Sequence, residues 1–122
     1  MDWNFRNDQP IYSQLIQRLT EAIVSGVYAP GEKLPSVREL ALEAGVNPNT
    51  VQRSLTELER EGLVFSQRTT GRFVTENENM IVNAKLRIAD ERVSEFLRSM
   101  KTLGCGRQEI ISLIEGAKED EE

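Results

Sequence analysis

The sequence predicts a mainly α-helical fold with a small β wing. The predicted architecture is a winged helix-turn-helix at residues 8–76, followed by a two-helix tail at residues 77–122. Two short segments with clear helix start and stop signals meet at a tight turn around Gly45. Two apolar segments then flank a short polar loop, as in a β-hairpin. After residue 85, apolar side chains recur every seven residues, which indicates a helix with an apolar seam.

The composition argues against several classes of protein. No run approaches the roughly 18 apolar residues that a membrane helix needs, and the first eight residues lack the features of a secretory signal. Cys105 is the only cysteine, so no intrachain disulfide can form, which favours the reducing cytoplasm. Histidine is absent, which removes the usual general base and the usual zinc ligand. We expect no enzymatic activity, no metal, no cofactor and no membrane partner.

The net charge of −5 is distributed unevenly. Residues 33–75 carry six basic and five acidic side chains, whereas residues 76–122 carry seven basic and eleven acidic ones. The predicted wing, residues 65–75, holds two arginines and no acid. A local basic patch is enough for a compact domain to approach DNA.

The first three helices are predicted from periodicity and capping signals. The first runs from Pro10 to Gly26, with an apolar residue at every fourth position. A capping box starts the second helix, and Gly45 ends it. The third opens with a capping residue and a proline at the first helical position, and it runs to position 61. The residues of these signals are Ile11, Leu15, Leu19 and Ile23 on the first helix, then Ser36 with Glu39, and Asn47 with Pro48.

The third helix has two distinct faces at 100° per residue. Its apolar face is expected to contact the core, and its polar face suits the reading of DNA bases. Asparagine and glutamine can pair with adenine, arginine with guanine, and threonine can meet a thymine methyl. The alternative is an ordinary solvated helix face. The apolar face comprises Val51, Leu55 and Leu58, and the polar face comprises Asn49, Gln52, Arg53 and Thr56.

The wing is predicted as a hairpin of residues 63–65 and 73–74 around the loop at 66–72. Arg68 and Arg72 are expected to project from this loop towards phosphates or a minor groove. They could instead be two solvated loop arginines. The loop itself holds no balancing acid, which favours the DNA contact.

A heptad pattern marks the tail as a dimerisation element. Such a seam needs a partner, either a second copy of the helix or the first domain of the same chain. A second short helix is predicted after Cys105, which we interpret as an inert turn cysteine. The tail carboxylates are interpreted as a solvated face rather than a metal site, and residues 118–122 as a frayed end. The predicted seam residues are Leu86, Ala89, Val93, Phe96, Met100 and Leu103.

The chain resembles the GntR family of bacterial transcription regulators over residues 8–76. The motifs that carry the resemblance are PIYxQL at residues 10–15, PGxKLPSxRELA at 30–41, GVNxNTV at 45–51 and LExEGLV at 58–64. The resemblance implies a DNA contact from Arg38, entry of the start of the third helix into a major groove, and approach of the wing glycine to a minor groove. The DNA-contacting set predicted from residues and resemblance together is Ser36, Arg38, Asn47, Asn49, Thr50, Gln52, Arg53, Arg68, Thr70, Gly71 and Arg72.

The chain departs from the common family pattern at three positions. Many relatives have arginine where this chain has Pro48, and often at Gln52 as well, so their base preferences cannot be transferred. Thr69 stands where the wing of relatives has its first glycine, so the close backbone approach expected there is in question. After Val74 only 48 residues remain, too few for the usual large ligand-binding domain. Both the NPNT sequence and the short tail resemble the YtrA-like branch of the family.

The sequence therefore predicts a cytoplasmic, homodimeric DNA-binding transcription regulator, with a repressor favoured. The palindromic operator of such a dimer would be its double-stranded DNA partner. A winged helix used as a protein-interaction module is the alternative. No effector is identifiable, and a small-molecule effector would have to bind at the dimer seam or between tail and first domain, since the tail is too short for a dedicated pocket.

Overall fold

The structure, a computed structural model, describes residues 1 and 3–118. In this part of the chain, apolar periodicity, helix caps and a glycine-containing hairpin produce five helices and one two-stranded antiparallel sheet. This confirms the predicted mainly α-helical winged fold. Of the charged end at 118–122, which was predicted to fray, residues 119–122 lie outside the described residues. The elements are α1 Ile11–Val24, α2 Val37–Ala44, α3 Pro48–Arg60, β1 Val64–Gln67, β2 Gly71–Val74, α4 Glu78–Thr102 and α5 Arg107–Gly116.

One hydrophobic core holds α1, α2, α3 and the wing together. The apolar faces predicted for α1 and α3 supply most of its fully buried side chains, because leucines spaced by three or four residues lie on one side of a helix. On α3, Val51, Leu55 and Leu58 are all 1% exposed or less, so the predicted division of this helix into two faces is confirmed. On α1, Leu15, Leu19 and Ile23 are buried, whereas Ile11 is 37% exposed and stays outside.

The caps of α2 and α3 fix the turn between these helices. The Ser36 hydroxyl accepts a hydrogen bond from the amide of Glu39, and the Glu39 carboxylate accepts one from the amide of Ser36. Gly45 ends α2 in the left-handed region, at φ 67°, and Asn47 Oδ1 then accepts the Asn49 amide at 2.8 Å. All these capping predictions are confirmed. They set the direction of α3 relative to α2.

The wing is attached to the segment before α2. β1 and β2 pair antiparallel, with Val64 opposite Val74 and Gln67 opposite Gly71. The Leu34 amide donates to the Arg72 carbonyl at 2.8 Å, so the segment leading into α2 hydrogen-bonds to the outer side of β2. This pairing fixes the start of α2 beside the wing.

The N-terminal segment packs onto the first domain, which the sequence did not indicate. Gln14 on α1 is 5% exposed. Its side-chain oxygen accepts a hydrogen bond from the backbone N–H of Arg6, and its side-chain nitrogen donates one to the carbonyl of Arg6. Trp3 and Phe5 rest against the core, and the Trp3 indole donates to Glu43 on α2 at 2.8 Å. The folded unit therefore begins before residue 8.

The chain divides into two compact units, Met1–Lys85 and Leu86–Glu122. Met80, Ile81 and Ala84, in the first turns of α4, pack against the core of the first unit. The predicted boundary after residue 76 lies earlier than this division, because apolar contacts of α4 continue past it. In the second unit Ile110 on α5 is 4% exposed.

A side chain at Gly62, between α3 and β1, should destabilise the fold. The φ of Gly62 is 85°, and an added Cβ would lie 2.5 Å from the Met80 methyl. We expect Gly62→Ala to lower the free energy of unfolding by about 2 kcal/mol through left-handed strain and overpacking. Gly26→Ala is the matched control, since Gly26 has φ 88° and open space around it, and should cost only about 1 kcal/mol. Equal losses in urea unfolding of the two variants would show that Met80 simply moves aside.

Candidate nucleic-acid interface

The first turns of α3 present a row of exposed polar side chains. Asn49 and Gln52 are exposed, and Thr50 is half-buried. The side-chain oxygen of Asn47 is engaged in the helix cap, so its amide nitrogen is the group left to donate outward. This row can offer amide donors and acceptors to base edges.

Arg53 differs from its neighbours on this face. Its guanidinium carbon lies 4.3 Å from the centroid of the Tyr12 ring on α1, a cation–π contact. Such contacts at exposed sites stabilise by about 0.5–1 kcal/mol, so Arg53 must give up some stabilisation before it reaches a base. The sequence placed Arg53 on the outward face correctly but gave no indication of Tyr12.

The start of α2 contributes a cation and a cap. Arg38 is exposed and forms no ion pair among the described residues. Ser36 is exposed too, but its oxygen accepts the Glu39 amide. Hydrogen bonds from Ser36, the backbone one first, lower the pKa of the Glu39 carboxyl, so this side chain stays ionised beside the predicted phosphate contact. Arg38 is therefore the group at this helix start best suited to a phosphate.

The two wing arginines have different surroundings. Arg68 is exposed in the loop and has no ion-pair partner in the described part of the chain. Arg72 lies in β2 instead, and its Nε donates to the Glu59 carboxylate on α3 at 2.5 Å with 21% of its side chain exposed. The expectation that both project freely from the loop is wrong for Arg72, because α3 supplies the acid that the loop lacks.

Glu59 connects α3 to both strands of the wing. Its Oε1 also accepts a hydrogen bond from the Ser66 hydroxyl of β1 at 2.8 Å. Burial raises the pKa of the Glu59 carboxyl, but the hydrogen bonds from Arg72 and Ser66 outweigh burial and hold that pKa below its ordinary value. The ionised carboxylate thus fixes the wing relative to α3. Sequence reasoning missed this residue, since its partners are seven and thirteen positions away.

The backbone of the wing tip has positive φ angles, although the first glycine of the family pattern is absent. Thr69 has φ 66°, the left-handed conformation that glycine adopts at little cost. Gly71 has φ 122°, and a Cβ there would lie 3.0 Å from Lys33 Cε. Thr70 is exposed between them, and its amide donates to the Gln67 carbonyl. Lys33, which the sequence analysis did not single out, lies beside this tip.

The predicted seam of α4 lies on the surface of its unit. Leu86, Val93 and Phe96 are 60%, 55% and 41% exposed, and Ala89 is exposed as well. Leu103 is 73% exposed but lies in the turn just after α4, so the helical seam ends at Met100 and not at Leu103. Met100 is half-buried. The tail unit by itself thus leaves this apolar stripe exposed.

Other candidate chemistry is limited in the described residues. They contain no cluster of potential metal ligands, and none of their helices is long and apolar enough to cross a membrane. Partial burial and the Glu109 carboxylate raise the pKa of the Cys105 thiol, which lowers its thiolate fraction and slows its reaction as a nucleophile.

A capped helix-turn-helix with an exposed polar row and an adjoining wing defines the class of winged-helix DNA-binding regulators. The chain belongs to the GntR family: the family model "Bacterial regulatory proteins, gntR family" matches residues 11–74. The family is one of transcription regulators, so the chain is a DNA-binding regulator and not an enzyme.

Two curated relatives from Bacillus subtilis are similar to most of the chain. The HTH-type transcriptional repressor YtrA is 41% identical over 93 residues, 75% of this chain and 72% of the repressor. An uncharacterised HTH-type regulator, YhcF, is 38% identical over 118 residues, 97% of this chain and 95% of the relative. These relatives support the YtrA-like subfamily that the sequence predicted.

Solved structures show the same fold. A GntR family regulator from Listeria monocytogenes has a TM-score of 0.86 at 36% identity, covering 93% of this chain and all of the other. The DNA-binding domain of AraR in complex with operator ORE1 has a TM-score of 0.53 at 26% identity, covering 62% of this chain and 94% of that one. DNA-binding domains of this family therefore bind operator DNA in crystal structures.

Proposed function

We propose that the protein is a cytoplasmic, homodimeric repressor that binds a palindromic operator. The start of α3 reads bases in the major groove, and the wing approaches the flanking backbone. The proposal rests on the exposed side-chain amides of Asn49 and Gln52 on α3. The hydrophobic core, the N-caps of α2 and α3, and the pairing of Glu59 with the wing fix the position of this helix. Repression is supported by the similarity to YtrA, which is a repressor.

The α4 seam supports the dimer. Three large apolar side chains on one stripe of α4, and Leu103 just after the helix, are 41% exposed or more. Burying apolar surface is worth about 25 cal/mol per Å². A second copy offers the same stripe, so a two-fold arrangement would cover both at once. Two recognition helices related by that two-fold axis would read the two halves of a palindrome.

Retardation of a DNA fragment from the protein's own promoter tests the proposal. We expect a specific complex that survives excess unrelated DNA, with footprints about one helical turn apart. A protein-interaction module would shift specific and unrelated fragments alike or shift neither. That result would contradict the proposed function.

The two wing arginines should behave differently in the same assay. Arg68→Ala should weaken binding to all sequences and lower the slope of log affinity against log salt by about one unit, because one phosphate contact is lost. Arg72→Ala should leave that slope nearly unchanged, since Arg72 is paired with Glu59, and should mainly lower thermal stability. Equal slope changes would show that Arg72 leaves Glu59 to contact DNA.

A further inference from the structure

A cavity of about 380 Å³ lies within the tail unit, where the end of α4 meets the start of α5. Its apolar side is formed by Leu97 and by Ile110, which is 4% exposed. Cavities that bind small molecules usually have about 300 Å³ or more and are mainly apolar with a few polar groups. The α4–α5 cavity meets this description with tail residues alone, so the expectation that the tail is too short for a pocket of its own is wrong.

The charged side chains that line the cavity are all cationic. Arg98, Lys101 and Arg107 line it, and none of them forms an ion pair with another described residue. This is unexpected in a segment where acids outnumber bases eleven to seven over residues 76–122. All three side chains are exposed, so solvent screens the repulsion among them, and an anion between them would gain favourable charge contacts. Glu109, the acid in the first turn of α5, does not line the cavity, but its carboxylate interacts with the Cys105 thiol, which does.

The start of α5 adds backbone donors at the same place. Gly106 is the N-cap residue and lines the cavity, and no side chain caps the first turn of this ten-residue helix. Uncapped amide groups at a helix start favour a negatively charged partner. Together with the three cations they define where an oxyanion head would bind, and Leu97 and Ile110 define where its apolar body would lie.

We propose that the α4–α5 cavity binds a small organic anion with an oxyanion head and a short apolar body. The site does not compete with the proposed dimer. Arg98 lies two positions after Phe96, and Lys101 lies one position after Met100. At 100° per residue, both cations therefore lie on a different side of α4 from these seam residues. An effect of this ligand on operator affinity would rest on the proposed function. Binding itself does not, and it can be measured without DNA.

Cys105 provides the reporter, because it is the only cysteine of the chain and lines the cavity. Its alkylation by neutral iodoacetamide is followed by intact mass in the full-length protein, with hexyl phosphate, hexanoate or uncharged hexanol as probes. Each rate is normalised to the ligand-free rate of the same variant. Both anions should slow alkylation, and hexanol should not.

The variants test the cations. Arg98→Gln/Lys101→Gln should raise the anion concentration for half-protection by about tenfold or more, the value of one lost charge-assisted hydrogen bond. Arg87→Gln removes a cation of α4 outside the cavity and should leave protection unchanged. Circular dichroism establishes that the variants keep their helices. Equal protection by hexanol, an unaffected double variant, or no protection by any probe would overturn the proposal.

Discussion

Phe96→Glu is expected to convert the proposed dimer into a monomer and to weaken operator binding by about 100-fold or more. The side chain is 41% exposed at the middle of the α4 seam, and a carboxylate there would be buried without a partner in a dimer. Loss of the dimer separates the two recognition helices, and linked binding sites commonly gain 10²–10⁴-fold in avidity, to order of magnitude, over single ones. Light scattering and quantitative retardation measure the two effects.

Ser94→Glu is the matched control for this substitution. Ser94 is exposed on the same helix, and two positions correspond to a rotation of about 200°, so the added charge points away from the seam. This variant should stay dimeric with nearly unchanged affinity. If Phe96→Glu remains a dimer with wild-type affinity while its helices are intact, the α4 seam is not the interface.

Asn49→Ala is expected to relax base preference at one position of each half-site. The cost at that base pair should be about 1–3 kcal/mol, the usual value of a bidentate base contact. The substitution spares the helix cap, because the cap uses the backbone amide of Asn49 and the side chain of Asn47. Competition binding against operators with single base-pair changes shows whether preference is lost at one position.

Two further variants separate base reading from folding. Gln17→Ala removes an exposed amide on α1 and should change neither preference nor affinity. Asn47→Ala breaks the α3 cap and should lower the free energy of unfolding by about 1 kcal/mol. An Asn49→Ala protein with wild-type preference at every base pair would remove Asn49 from the base-reading residues.

The elements of the fold were predictable because their signals are local. A capping box needs residues three positions apart, a left-handed helix end needs one glycine, and an amphipathic face needs only its period. The exposed faces of α3 and α4 follow from the same periodicity, so Gln52 and Leu86 are on the surface where the sequence placed them. The packing of Trp3 and Phe5 had no such signal, since a short apolar segment without period fits many structures.

By itself the sequence determined the class of protein, the two faces of α3 and the apolar stripe of the tail, because capping and periodicity depend on neighbours along the chain. Only the tertiary structure decided which charges are free. Arg68 and Arg72 are four positions apart in one hairpin, yet Glu59 pairs with Arg72 alone. Arg53 meets Tyr12 across the interface of two helices, and three cations converge on one cavity of the tail. Electrostatic partners are chosen by distance in space, which packing of remote segments sets.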